Sequence, residues 1–105
     1  MSAPHLLTEL SGISAPMLGD EQALAALVVA AGGALGLTPH GPPLSRTGPR
    51  GIAVSLLGHG GHIVLHAEPA RGTCLVDIVS PAGVLPGRAL EVIARRLGVS
   101  APAGT

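Results

Sequence analysis

The stretch GHGGHIVLHAEPARG, residues 58–72, gathers His59, His62 and His66, three of the five histidines in the chain. Imidazole is both a metal ligand and a proton carrier near neutral pH, so a metal site and an acid–base site are the two chemistries to weigh. Zinc requires three or four ligands in fixed geometry. On an extended strand His62 and His66 stand roughly 13 Å apart, too far to share one ion. The period of two does place them on one face. Asp77, inside the apolar run TCLVDIVS, is the carboxylate to set beside them. A carboxylate in an apolar strand requires a partner, and Arg71, Arg50 or a histidine could supply it. His62, His66 and Asp77 are therefore the acid–base candidates. Cys74 lies in the same run and reads as a buried, inert thiol. The bend at His59-Gly60-Gly61 reads as a hairpin turn whose glycines answer to backbone geometry.

The elements that must position these groups follow from periodicity. HLLTEL (5–10) reads as a short strand, broken by the turn residues SGISAP. Asp20 is a natural N-cap, with Glu21 at the positive end of a helix running to about Ala31 and stopping at Gly32-Gly33. Residues 38–50, TPHGPPLSRTGPR, hold four prolines and read as a loop. GIAVSLLG (51–58), HIVLHAE (62–68) and TCLVDIVS (73–80) are strands joined by short turns, and so antiparallel. In RALEVIARRLG, Leu90, Ile93, Ala94 and Leu97 mark one face of a helix ending at Gly98. This order predicts an α+β fold, a two-layer sandwich with a mainly antiparallel four-stranded sheet and two helices on one face. The 105 residues make one domain, 1–105, with a core over about 4–98 and a loose tail at 99–105.

Composition narrows the function classes. The chain has no Phe, Tyr or Trp, so a purine or sugar would find no aromatic face to stack on. Six acidic residues balance six arginines, and nothing forms the basic patch that nucleic-acid binding requires. The opening MSAPHLLTEL has no charged leader before an apolar run, and ALAALVVAAGGALGL is too short and glycine-rich to span a bilayer. A single cysteine permits no internal disulfide. The expectation is a soluble, cytoplasmic protein without nucleic-acid or membrane partners.

The order of elements and the residues around the histidines resemble the bacterial, pyruvoyl-dependent S-adenosylmethionine decarboxylases of polyamine synthesis. HLLTEL fits their opening strand. GGHIVLHAEPARGTCLVDIVSPAG (60–83) aligns without a gap to their segment E-S-H-I-x-I-H-T-W-P-E followed by a G-Y-x-x-hydrophobic-D-hydrophobic-F-T-C-G strand. His62, Ile63, Leu65, His66, Pro69, Gly72, Val76 and Asp77 fall in place. The resemblance implies a decarboxylase whose cofactor is made from its own backbone. A serine attacks the preceding peptide bond, and the ester then eliminates to leave an N-terminal pyruvoyl group. That carbonyl takes the substrate amine and accepts electrons as CO₂ leaves.

This chain departs from that pattern where the chemistry lies. Gly61 stands at the serine position and Gly60 at the preceding glutamate, and glycine offers no nucleophile. Pro81 takes the place of the cysteine that is thought to protonate the product, and Glu68 that of the tryptophan. His66, matching the histidine that assists processing, is kept beside His62. No cofactor is therefore expected. The reading is a non-decarboxylating homologue with a regulatory, structural or small-molecule-binding role. The alternative is an active enzyme, processed at another hydroxyl such as Ser55 or Ser80, or working through His62, His66 and Asp77. Because GIAVSLLG and TCLVDIVS are apolar on both alternations, the sheet is expected to bury both faces. A homodimer or a paralogous decarboxylase subunit would supply the second cover.

Overall fold

The computed structural model describes residues 4–102. Its elements are β1 (His5–Leu10), α1 (Ala15–Leu18), α2 (Glu21–Leu35), β2 (Leu44–Thr47), β3 (Ile52–Gly58), β4 (Gly61–Glu68), β5 (Thr73–Val79) and α3 (Gly87–Arg96). The strands form one antiparallel sheet in the order β1-β5-β4-β3-β2. The α+β sandwich is as expected, but the sheet has five strands, not four.

The extra strand is β2, inside the segment expected to be a loop. It pairs only with β3, and all of its residues are exposed. No hydrophobic period marks it, and the prolines before and after it lie outside the paired residues, where no ladder hydrogen bond is lost. It is tied down from the other layer. Glu21 of α2 accepts hydrogen bonds from Ser45 Oγ at 3.0 Å and Thr47 Oγ1 at 3.3 Å.

Helix α2 begins as the sequence predicts, with the Asp20 carboxylate accepting from the Ala23 amide at 3.0 Å. It does not stop at Gly32-Gly33. It runs to Leu35 and ends at Gly36, whose left-handed backbone (φ 66°) caps it. Gly32 belongs to the packing: a Cβ there would lie 2.6 Å from Leu56 Cδ2, so glycine lets the helix sit close against β3. The segment SGISAP, expected to be only a break, also contributes the first residues of the short helix α1.

One face of the sheet carries the core. Ile52, Val54, Leu56, Ile63, Leu65, Ala67, Cys74, Val76 and Ile78 are buried in register beneath the helices. From α3 the predicted face, Leu90, Ile93, Ala94 and Leu97, packs onto them, and from α2 come Leu24, Leu27, Val28, Ala31 and Leu35. Val99 and Ala101 also pack against this core, whereas residues 103–105 of the expected loose tail lie outside the described residues. No helix among the described residues is long and apolar enough to cross a membrane.

Among the described residues no element covers the opposite face. Leu7, Leu44, Leu57 and Leu75 are exposed there, and Asp77, expected to be buried, is only partly so. The sequence expectation of two buried faces is thus not met within one chain, because all three helices pack on the same side.

Candidate functional site

Two places in this fold hold the candidate residues: the turn between β3 and β4, and the open face of the sheet.

At the turn, Gly58 pairs with Gly61, so the connection is His59-Gly60 and Gly61 already belongs to β4. Gly60 has φ 73° and no neighbour within 4 Å of a built Cβ. It answers to backbone conformation alone. Gly61 is different. A Cβ added there would lie 2.4 Å from the Val79 carbonyl oxygen, 3.3 Å from Leu37 Cδ1 and 3.4 Å from Pro81 Cδ. Gly58 is closed in the same way, with Leu37 Cγ at 2.6 Å and the Thr38 carbonyl oxygen at 2.7 Å. Backbone hydrogen bonds fasten the approach of the 37–40 segment: the His59 amide donates to Thr38 and the His40 amide to Leu57, both at 2.9 Å. Positions 61 and 81 are thus neighbours in space, although twenty residues apart in sequence. The space where a residue-61 side chain would sit is filled by backbone and by Leu37.

On the open face, Asp77 of β5 lies between two imidazoles. His5 Nε2 of β1 is 2.5 Å from Asp77 Oδ1, and His62 Nε2 of β4 is 3.4 Å from Oδ2. The sheet register explains the meeting. His5 and His62 both pair with Val79, two residues along β5 from Asp77, so their side chains reach it from diagonal positions on the same face. Burial pushes the Asp77 carboxyl up. The hydrogen bonds and Coulombic attraction from His5 and His62 outweigh that, and the group is held below the usual carboxylate range.

Of the partners left open for Asp77, the structure places His62 beside it, and His66 is not with them. It pairs with Leu75 and Ala53 and lines a separate cleft of about 410 Å³ with Arg46, Arg50 and Glu68. His66 also faces away from Gly61, since Gly61 shares the core alternation with Ile63 and Leu65. Arg71, a candidate partner for Asp77, pairs instead with Glu68 at 3.5 Å. His59 packs edge-on against His40, ring centroids 6.3 Å apart. Among the described residues no group of three or more His, Cys, Asp or Glu side chains is arranged to hold a metal ion. Cys74 is fully buried, and burial pushes its thiol up to about 12. Ser80, an alternative hydroxyl, is buried and donates to the Val84 carbonyl oxygen at 2.5 Å. Ser55, the other, lies mid-strand in β3 opposite Val64.

The residue that sequence reasoning missed is His5. It opens a strand, far from the histidine cluster, and only the β1–β5 register brings it to Asp77.

A family model for S-adenosylmethionine decarboxylase matches residues 4–103 of the chain. The chain belongs to the S-adenosylmethionine decarboxylase family. Comparison with solved structures finds the adenosylmethionine decarboxylase from Aquifex aeolicus VF5, at a TM-score of 0.78 and 22% identity. The match covers 90% of this chain and 79% of that one, and at this identity it establishes the shared fold alone. Comparison with curated proteins finds no match. Position 61 holds no nucleophilic side chain. The residue is glycine, and the backbone around it leaves no room for a side chain.

Proposed function

We propose that this chain is a non-decarboxylating member of the S-adenosylmethionine decarboxylase family. In this reading it keeps the sandwich as a binding or association module and remains a single, uncleaved polypeptide. The observation that carries the reading is the closure of position 61. Loss of a hydroxyl alone could follow from one substitution in an otherwise working site. Here the Val79 carbonyl oxygen, a backbone atom, stands 2.4 Å from where Cβ would be, with Leu37 and Pro81 in contact beside it. The change is built into the packing.

Two further features support it. Pro81 holds the position of the family's cysteine and has no proton to give. The chain has no Phe, Tyr or Trp to stack on adenine. S-adenosylmethionine is therefore expected to bind weakly or not at all. The test is calorimetric titration of the purified protein with S-adenosylmethionine, alongside release of labelled CO₂ from the carboxyl-labelled compound. No release and no saturable heat at micromolar ligand is the expected result. Release of CO₂ above the protein-free blank would overturn the reading.

The second part of the proposal is self-association through the open face. A sheet covered on one side leaves Leu7, Leu57 and Leu75 to water around the Asp77 cluster, with Val64 and Val79 half-buried among them. Five strands at about 4.8 Å and about seven residues at about 3.4 Å give a face of roughly 550 Å² per copy. Two such faces approach ~1,100 Å², past the ~1,000 Å² expected of a specific interface. The face also carries Glu9, Glu68 and Asp77 against Arg46 and three histidines, so it is complementary to itself, and a neutral chain does not repel its copy. A paralogous decarboxylase subunit would bury the same leucines. A homodimer is the simpler form, checked by sedimentation equilibrium, and a monomer at tens of micromolar would rule it out.

A second reading rests on the His62–Asp77 contact, which is suited to moving a proton. An enzyme using it would bind its substrate on the open face and lose turnover on Asp77→Asn.

A further inference from the structure

The arrangement of His5, Asp77 and His62 is not used by the reading above, and it sits on the surface proposed to meet a second copy. One carboxylate faces two imidazoles on an open sheet face, in contact with water on the outer side. The side chains are 54% exposed for His5, 34% for His62 and 31% for Asp77. Among the described residues no helix covers this side of the sheet. The other titratable groups facing the cluster are Glu9 from β1 and His66 from β4. The flanking positions on β5 are Leu75 and Val79, and opposite Asp77 stand Leu7 and Val64.

A neighbouring sheet would take this water away. An ionised carboxylate that loses its water is costly unless a cation compensates it. Imidazole is the side chain able to supply that cation between about pH 5 and 8. One proton shared between His5 and His62 makes the cluster neutral. With none, each copy buries an unpaired negative charge. With two, each copy buries a net positive one.

We propose that His5, Asp77 and His62 form a proton-linked switch for self-association of the chain, in which closing the interface takes up a proton at each cluster. The proposal rests on the self-association reading and names how it is regulated. Association is then strongest where each cluster holds one proton. It weakens towards alkaline pH, where closure buries an uncompensated carboxylate, and again under acid conditions, where closure buries excess positive charge. The Leu7, Leu57 and Leu75 contacts supply pH-independent attraction, and the cluster sets its pH response.

The expected size follows from linkage: each proton taken up per dimer changes the dimerisation constant tenfold per pH unit. With one cluster per copy the limit is two protons per dimer, or about a hundredfold per unit. The test is sedimentation equilibrium of the full chain at pH 5.5, 6.5, 7.5 and 8.5, beside Asp77→Asn. Isothermal dilution of the wild-type dimer, in phosphate and in Tris at one pH, reads proton release directly and does not depend on any variant folding.

The wild type is expected to dissociate at least tenfold more readily at pH 8.5 than at 6.5, with a dilution heat that differs between the buffers. Asp77→Asn should flatten the response to under threefold. A dimer whose constant ignores pH, with a dilution heat independent of buffer, would overturn the switch and leave the dimer standing. A chain monomeric at every pH would overturn the self-association reading itself. An Asp77→Asn dimer retaining the full pH response would place the titration elsewhere and overturn the assignment.

Discussion

Replacing Gly61 with serine restores the side chain that the family uses, yet the structure predicts damage and no repair. The new Cβ would stand 2.4 Å from the Val79 carbonyl oxygen, against roughly 3.2 Å for a tolerable carbon–oxygen contact. A shift of the order of 0.8 Å is needed, and the obstacle is backbone. Val79 pairs with His62 on β4 and His5 on β1, so it cannot move without disturbing two ladders. Leu37 Cδ1 and Pro81 Cδ lie at contact distance, 3.3 and 3.4 Å, and leave little room to shift into. Overpacking of this kind costs about 1–3 kcal/mol. In a domain of this size that corresponds to a fall in Tm of roughly 4–24 °C. Thermal unfolding followed by far-ultraviolet circular dichroism gives the stability, and denaturing mass spectrometry of the same sample gives the covalent state. The expected outcome is a destabilised, uncleaved protein. A variant as stable as its parent would refute the packing argument. One that splits at residue 61 would show that the site accepts a serine and its chemistry.

Other consequences are more quickly stated. Gly33→Ala should stabilise the protein by about 0.5–1 kcal/mol, measured as a rise in urea midpoint. Gly33 is helical, exposed and without a neighbour within 4 Å of the added carbon. Ile93→Ala, at a fully buried position on α3, should cost about 2–5 kcal/mol in the same assay. Asp77 is held below the ordinary carboxylate range by His5 and His62, despite burial that raises it. Its contribution is therefore present above the unfolded-state value near 3.8 and fades as pH falls through the lower folded-state value. Asp77→Asn should accordingly flatten the stability-against-pH curve at that acid end, read from urea midpoints. Cys74, with its thiol pushed up to about 12, should resist iodoacetamide in the native state and react on unfolding.

The parts of this fold that were legible in the sequence are those governed by periodicity and local capping. Leu90, Ile93, Ala94 and Leu97 announce one face of α3, and Asp20 announces the start of α2, because both signals lie within a few residues. The end of α2 is not legible, because Gly32-Gly33 looks like a stop and lies inside the helix. Glycine is locally a poor helix former, but at position 32 the close approach of Leu56 overrides that preference. β2 escaped notice because an exposed edge strand has no apolar alternation, and its anchor, Glu21, lies 24 residues from Ser45.

The candidate site divides in the same way. His62 and Asp77 are legible as candidates on neighbouring strands, but only the β4–β5 register selects His62 from the partners that the sequence leaves open. His5 lies 72 residues from Asp77, and its contact exists only through the β1–β5 register. The glycine at position 61 was visible as a missing nucleophile. That its side-chain space is filled by Val79, Leu37 and Pro81 was not, since three distant segments have to meet for it to be so.

The central claim is that this family member stays whole, and the mass of the purified protein under denaturing conditions tests it most directly. The account predicts one species at 10.3 kDa, allowing for loss of the initiating methionine. Two fragments, residues 1–60 and a 61–105 piece blocked at its N-terminus by a ketoacyl group, would contradict it.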